Sequence, residues 1–583
     1  YTHYVDNSDT GCTDSNNPYG DVDTPRCTFP ADLPAGSVVE LHGGPYSFRN
    51  MMGEMIVYAH GTADRPVFFR GVSSTDRPLF TRLLYVLGSY AVLENLEFFK
   101  TGVYLRLLLP EDIHHIAIRN LEMYGDGTET RNGSAITLAR WFDNVETYGV
   151  SHTVIYNNHI HDYGDMDPDV ENDWLGVAVN GYDVYYTWIV DNHIHHMGGD
   201  SVRTGNNAGW DPPYTSRHAY IGRNHFHHNG ENAIDLKLMA DVVYSQNVMH
   251  DFAPSTSSGG YAVTAHYDPP NNWVIFNTIY NAYDGIAVHG VVDFYAIGNE
   301  IFNISGGETG RGIVFWSSGE VHIVGNTIHN VDHGIYTWIP STEPHPIIDN
   351  IIYNINDPTT GWHIRYSDAS LANASDLHHN LIYQDDGPIR VRWGALYNSV
   401  VDLQNGTGKC QGCVEADPLF VDAASHDYRL QAGSPARDAG TGALPYFQLY
   451  EERFGVDIRF DLAGIPRPQG PEWDIGAHEF LPALQLHGAP GDRSIRLDWT
   501  VNVTLPATTT WQIDYYTHTA TIHTAAEPLS VTRSTVLTEN VVNYHWYTVT
   551  LHAMLGGSSW LSDTVRVMPT DRFVYLPLVM RGY

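Results

Sequence analysis

Only three lysines occur in the 583 residues, Lys100, Lys237 and Lys409, and the second lies in the segment Asn232-Ala233-Ile234-Asp235-Leu236-Lys237. In a strand, Ile234 and Leu236 face one way while Asp235 and Lys237 face the other, so an acid and an ammonium share one surface. The same phase recurs at segments anchored by Val103, Ile136, Val177, Val202, Ile234, Val263, Ile286, Ile313, Ile335, Ile364 and Ile389. The first outward place after each anchor holds Arg203, Asp235, Tyr336, Arg365 and Arg390, among others. The next outward place holds Asn180, Lys237, His266, His289, Trp316, Trp338 and Arg392. If the copies stack about 4.8 Å apart as a parallel sheet, Arg203, Asp235, Lys237, His266 and His289 share a patch roughly 15 to 20 Å long.

Cations, imidazoles, an acid and flat aromatic faces along one groove suit an extended acidic sugar chain, because aromatics stack on sugar rings and Arg or Lys pairs with carboxylates. The matching chemistry is β-elimination from a uronic acid unit. A base removes the proton α to the carboxylate while Arg or a metal neutralises the developing charge. Lys237 is the expected base, helped by Arg203, with His266 as the alternative base. The plainer alternative makes Asp235 and Lys237 an exposed ion pair on a solenoid face, which contributes little energy.

The elements that must position these residues are repeated strands. The anchors recur every 22 to 41 residues, and strand alternation at such a period is the signature of a solenoid. Each repeat carries a second strand opened by Asn, as in Asn158-His159-Ile160-His161, Asn192-His193-Ile194-His195, Asn224-His225-Phe226-His227, Asn277-Thr278-Ile279-Tyr280, Asn299-Glu300-Ile301-Phe302, Asn326-Thr327-Ile328-His329 and Asn350-Ile351-Ile352-Tyr353. Asn tolerates the left-handed backbone conformation and can bond neighbouring backbone, so a stack of them at a corner is expected. This pattern resembles the right-handed parallel β-helix of pectate lyases and related carbohydrate-active proteins. The resemblance covers roughly half the chain and implies the fold; fold alone does not imply activity.

Around the 96–400 solenoid, residues 1–95 read as a capping segment. Residues 401–480 read as a closing segment; its strings Asp417-Pro418-Leu419-Phe420 and Asp474-Ile475-Gly476-Ala477-His478-Glu479-Phe480 resemble the C-terminal closure of bacterial secreted β-helix proteins. Residues 481–568 alternate in short strands, and Trp499, Trp511 and Tyr547 give them a resemblance to a fibronectin type III module, an antiparallel β-sandwich. Residues 569–583 form an apolar tail that could pack on its own sandwich or join a neighbouring molecule.

Two further sets of side chains invite ligands. Asp165, Asp167, Asp169, Glu171 and Asp173 place carboxylates at every second position of a long insertion, which suits calcium. It is not an EF-hand, since Val170 stands where glycine is needed and Gly176 where the bidentate Glu is needed. The histidines of the Asn-His-Ile-His copies repeat with the corner and read as stacking residues; a metal-ligand pair among His193, His195, His225 and His227 is the alternative. No organic cofactor is expected: there is no Walker loop and no Gly-x-Ser-x-Gly elbow, and His478-Glu479 lacks the second His of a zinc protease.

Sixty-seven acidic against 31 basic residues give a net charge of −36, which disfavours nucleic acid and anionic membrane surfaces. Cys12 with Cys27 and Cys410 with Cys413 could each close a small loop, and disulfides fit an exported protein. A redox or zinc role for Cys410-Gln-Gly-Cys413 lacks the surrounding βαβ pattern or a second ligand pair. No run of 18 apolar residues appears, so no membrane span is expected, and any signal peptide is expected to have been removed. These readings imply a secreted or cell-surface, all-β protein acting on or binding an extracellular polysaccharide. The competing reading is a non-catalytic rod, filament-forming or surface-attached, that self-associates through its C-terminal module or tail.

Overall fold

The structure is a computed structural model, and it describes every residue except 141–147, 171, 182, 206–215, 257, 268–269, 307–308, 317–318, 338–342, 482–483, 502–509, 518–522, 528–533, 539, 556–557 and 571–583. Trp338, Glu171 and most of the apolar tail therefore lie outside the described residues. Among the described residues no helix is long and apolar enough to cross a membrane.

Three parallel ladders wind into a right-handed β-helix. The front ladder carries the anchored strands, from Val103–Arg106 through Ile234–Lys237, Tyr261–His266, Asp284–His289, Arg311–Trp316, His333–Thr337 and Trp362–Tyr366 to Val391–Trp393. The back ladder runs from Ile113–Arg119 to Leu377–His378, and the side ladder from Leu79–Phe80 to Leu381–Tyr383. Every anchor but the last pairs in the expected register, as in Val202 with Ile234 and Ile234 with Val263. The last does not: Ile364 pairs with Val391 and Arg365 with Arg392, so the expected place of Ile389 is wrong by two residues. Ile389 is still buried.

Parallel pairing also starts well before residue 95. His3–Asp6 pairs with Val38–His42, which pairs with Val67–Gly71. The strand Leu84–Glu94 then serves two ladders, its first half pairing with Met55–His60 and its second with Val67–Gly71.

Asparagine does hold the corner between back and side ladders, through the expected bonding of its side chain to neighbouring backbone and not through a left-handed conformation of its own. The left-handed residue at each turn is the one before the ladder Asn, such as Asp191 at φ 56°, Arg223 at 55° and Phe276 at 56°. The Asn side chain turns inward and becomes a third strand of hydrogen bonds. Oδ1 of Asn224 accepts from the backbone N–H of Asn192 at 2.9 Å and from its Nδ2 at 3.0 Å, while Asn192 Nδ2 also donates to the carbonyl of Ile155. The chain of contacts runs through Asn158, Asn192, Asn224, Asn247, Asn277, Asn299, Asn326, Asn350 and Asn380, all buried. Each satisfies the corner amide of the rung before it, which burial would otherwise leave unpaired. At the last rung Asn380 donates its N–H to Cys413 Sγ.

Both disulfides are present, Cys12 to Cys27 and Cys410 to Cys413. The helix Val400–Thr407, capped by Ser399, buries Val400 and Leu403 under the final rung. The chain then returns along the outside of the coil. The hairpin Phe420–Asp422 and Asp427–Leu430 covers Phe302 and Tyr353 of the side ladder. The helix Leu444–Phe454 sets Phe447, Tyr450 and Phe454 against Trp273 and Tyr295 of the back ladder, and its Arg453 is ion-paired with Asp241. The string around His478 anchors this strap: Ala477 N–H donates to Thr327 Oγ1, and His478 meets Glu300 at 2.7 Å. Residues 481–570 form two antiparallel sheets of three and four strands around Trp499 and Trp511. The front ladder is left out of these strap contacts.

Candidate active site and anion-binding strip

The register brings the central residues of the front ladder together. Asp235 lies beside Arg203 and Thr264 on neighbouring rungs, and Lys237 lies beside His266, which lies beside His289 and then Trp316. Asp235 is the hub. Its Oδ1 is 2.6 Å from His266 Nε2 and its Oδ2 is 2.5 Å from Lys237 Nζ. This is not an exposed ion pair: Asp235 is 3% exposed and the Lys237 side chain 12%. Burial alone would raise the Asp235 carboxyl, but the His266 hydrogen bond and the Lys237 charge hold it below its ordinary range.

The same charges change the role expected for Lys237. Burial opposes its ammonium, yet Asp235 and Asp200 outweigh burial and push the pKa up, so the amine stays protonated. A protonated amine cannot accept a proton, whereas His266, oriented by Asp235, has the geometry of a base held by a carboxylate. The ring of His266 stacks on Tyr267 at 4.5 Å.

Arg203 is held by Asp173 at 2.5 Å. Asp173, which its spacing groups with the carboxylates of the loop, thus turns its own carboxylate to Arg203. Asp200, fully buried beside Asp235, is pushed well above the usual carboxylate range by burial and by Asp235, Glu231 and Asp173. Its Oδ1 accepts from the backbone N–H and Nδ2 of Asn232. Asn180 stands two rungs before Lys237, and its buried Oδ1 has no hydrogen-bond partner among the described residues. In the acidic loop, Asp165 Oδ1 and Asp167 Oδ1 accept backbone N–H groups two residues on, which forms consecutive turns.

Toward the C-terminal rungs the strip becomes cationic and aromatic. Arg365 lies over Tyr336 at 4.6 Å and is hydrogen-bonded to its hydroxyl, while Arg390 lies over Trp362 at 4.3 Å. Arg392 is the register neighbour of Arg365, and its charge adds to burial in lowering the Arg365 pKa. Among the described residues no carboxylate pairs with Arg365, Arg390 or Arg392, and the buried Arg390 Nη1 and Arg392 Nε have no hydrogen-bond partner. Behind them Arg311 is paired with buried Asp284 at 2.5 Å. His289 and Trp316 stack at 5.1 Å between the two clusters. Asp200, Asp284, Arg311 and Trp362 were not singled out from sequence. They sit two places before an anchor, on the face that alternation assigns to the interior, and Asp200, Asp284 and Arg311 are buried there.

A family model described as a right-handed β-helix region matches residues 213–401. Comparison with curated proteins gives no match. Similar solved structures include the A-module of the Azotobacter vinelandii mannuronan C-5 epimerase AlgE6, 14% identical over 53% of this chain and 89% of that one, with a TM-score of 0.33. A mannuronic acid-specific polysaccharide family 6 lyase from human gut microbiota is 14% identical over 61% and 82%, with a TM-score of 0.33. The GH136 lacto-N-biosidase of Eubacterium ramulus is 12% identical over 71% and 67%, with a TM-score of 0.31. At these identities the likeness is one of β-helical winding, and the chain is similar to these proteins in that respect alone.

Proposed function

We propose that the front ladder binds an extended acidic polysaccharide and cleaves it by β-elimination. One observation carries the reading: in a chain of net charge −36, Arg365, Arg390 and Arg392 converge with no carboxylate partner among the described residues. Guanidinium groups kept from internal acids are suited to carboxylates brought by a ligand, which they bind bidentately. Five rungs, about 24 Å, separate Asp235 from Arg365 in register, which fits a polymer better than a single sugar.

In the chemical step His266 takes the proton from the carbon α to a uronate carboxylate. The electron pair left behind forms the carbon–carbon double bond as the glycosidic C–O bond breaks, and the leaving oxygen takes a proton from solvent water, to which His266 later returns the one it removed. Asp235 orients the imidazole and stabilises it once charged. Lys237 and Arg203 supply positive charge where the carboxylate accumulates electron density. Lys237 thus passes from base to electrostatic partner.

Both disulfides support export from the reducing cytosol. The sandwich is read as a fibronectin type III-like module, supported by its three-plus-four strand order and by Tyr547, whose hydroxyl donates to the carbonyl of Asn540 and accepts from the N–H of Val542. Incubation with a panel of uronic acid polymers, followed by absorbance of unsaturated products, tests the activity. Binding without new double bonds in any polymer would leave a binding module and remove the lyase.

A further inference from the structure

The side ladder carries two outward columns of imidazoles. His159, His193 and His225 stack in one column at 4.8 to 5.0 Å. His161, His195, His227 and His250 stack in the other at 4.7 to 5.2 Å. The columns also face each other diagonally: Nε2 of His159 is 2.9 Å from Nε2 of His195, that of His193 is 2.8 Å from that of His227, and that of His225 is 2.7 Å from that of His250. Stacking alone does not call for this. On the rung of His250 the first column already holds Val248; beyond it the second column continues with Tyr280 and Phe302, flat rings without ring nitrogens, and the first with Thr278. Imidazole fills both columns only on consecutive rungs where ring nitrogens converge.

We propose that this strip is a divalent transition-metal site, in which His193, His225 and His227 supply three ring nitrogens and water completes the shell. The three ligand atoms lie within 4.8 Å of one another. Imidazole suits zinc, copper and nickel, and a tetrahedral ion at about 2.0 to 2.1 Å needs ligand nitrogens roughly 3.3 Å apart, so the 2.8 Å pair opens by only a few tenths of an ångström. The ion takes the place of the contact between His193 Nε2 and His227 Nε2. A bound imidazole needs its second nitrogen held, and the strip provides this: His227 Nδ1 is 2.8 Å from His228 Nδ1. The three rings are half-buried and lie N-terminal to the rungs that the returning hairpin covers at Phe302, so water reaches them. The site lies on a different face from Asp235 and does not depend on the front-ladder reading.

The test uses the full chain stripped with a chelator and dialysed against micromolar zinc chloride, with bound metal measured by mass spectrometry and calorimetry. One zinc per chain is expected, with affinity at least tenfold weaker in His193→Asn and in His227→Asn. Absence of zinc in the unsubstituted protein, or equal zinc in both variants, overturns the site; the second result would assign the metal to carboxylates elsewhere. Because either variant could unfold, cobalt(II) is added to the unsubstituted chain as well. Intense tetrahedral d–d bands are expected, and a weak octahedral spectrum overturns the imidazole set.

Discussion

His266 Nε2 stands 2.6 Å from Asp235 Oδ1, one rung away, while the other oxygen of the same carboxylate holds Lys237. One buried acid thus orients an imidazole and an ammonium at once. His266→Ala is expected to abolish formation of unsaturated products. Asp235→Asn should lower kcat more than it raises KM, since the ring loses its orienting charge but the arginine strip is untouched. Turnover by His266→Ala at the unsubstituted rate would eliminate it as the base.

Lys237→Ala has a second consequence, because the pair is buried. Removing the ammonium leaves Asp235 with His266 and a desolvated charge, which costs about 3 kcal/mol. Denaturant unfolding of this variant should show a lowered midpoint with an unchanged slope. An unshifted midpoint would mean that the pair is solvated after all.

How far the sequence spoke for itself depends on the repeat. Ten anchors were legible because every copy buries the same alternate places, and a slip of one residue would turn a whole strand inside out. Ile389 shows the limit: Pro388-Ile389-Arg390-Val391-Arg392-Trp393 alternates throughout, so a shift of two residues preserves the pattern and only pairing fixes the rung. The register that sets the outward residues side by side was legible, but their protonation was not. That Lys237 is held as an ammonium follows from its pairing with Asp235 and the nearness of Asp200. Asp173 was read with its neighbours in the loop because sequence shows spacing and not direction; its carboxylate turns to Arg203.

Asn277 joins two rungs of the buried corner. Its Oδ1 takes the N–H and Nδ2 of Asn247, and its Nδ2 donates to Asn299 and to the carbonyl of Tyr244. Asn277→Ala strands several buried polar groups, each worth about 1 to 3 kcal/mol, so a loss of about 3 kcal/mol or more is expected. Asn277→Asp keeps the acceptor and loses the donor, and it should also destabilise. Calorimetric melting of both variants checks this, and a melting temperature equal to that of the unsubstituted chain would show that the ladder is not under load.

Arg392→Ala is expected to weaken binding to a polyuronate while leaving the melting temperature within a degree or two, because no internal carboxylate loses a partner. The affinity of the unsubstituted protein should fall as salt is raised, and the variant should fall less steeply. Identical salt dependence in the two proteins would place the polymer elsewhere.

Calcium is expected at the loop of Asp165, Asp167 and Asp169. Carboxylates crowded in one loop repel until a cation joins them, and a ligand that binds only the folded state raises its melting temperature. Melting in chelator and in millimolar calcium should differ. Equal values would leave the loop as a run of hydrogen-bonded turns.

Acid should destabilise the protein earlier than its carboxylates require. Burial lowers the pKa of His322, His329 and His363 to about 4 and of His345 to about 3. In the unfolded chain these rings titrate near 6.5. Between those values the unfolded state binds more protons than the folded state, so stability rises with pH there. The contribution is complete above about 6.5 and is lost as pH falls from there toward 4. His161 and His478 act in the opposite sense, since Glu122 and Asp162 raise the first against burial and Glu300 raises the second. Glu479, raised to about 7 by burial, also opposes them, but His193 and His225 are lowered like the four, so the lowered rings outnumber the opposing groups and leave a net loss. Unfolding free energy measured from pH 8 to pH 5 should be level down to about pH 7 and then decline, and the decline should shrink in His363→Gln, whose ring is fully buried. A profile that stays flat to pH 5 would show that these rings reach water in the folded protein.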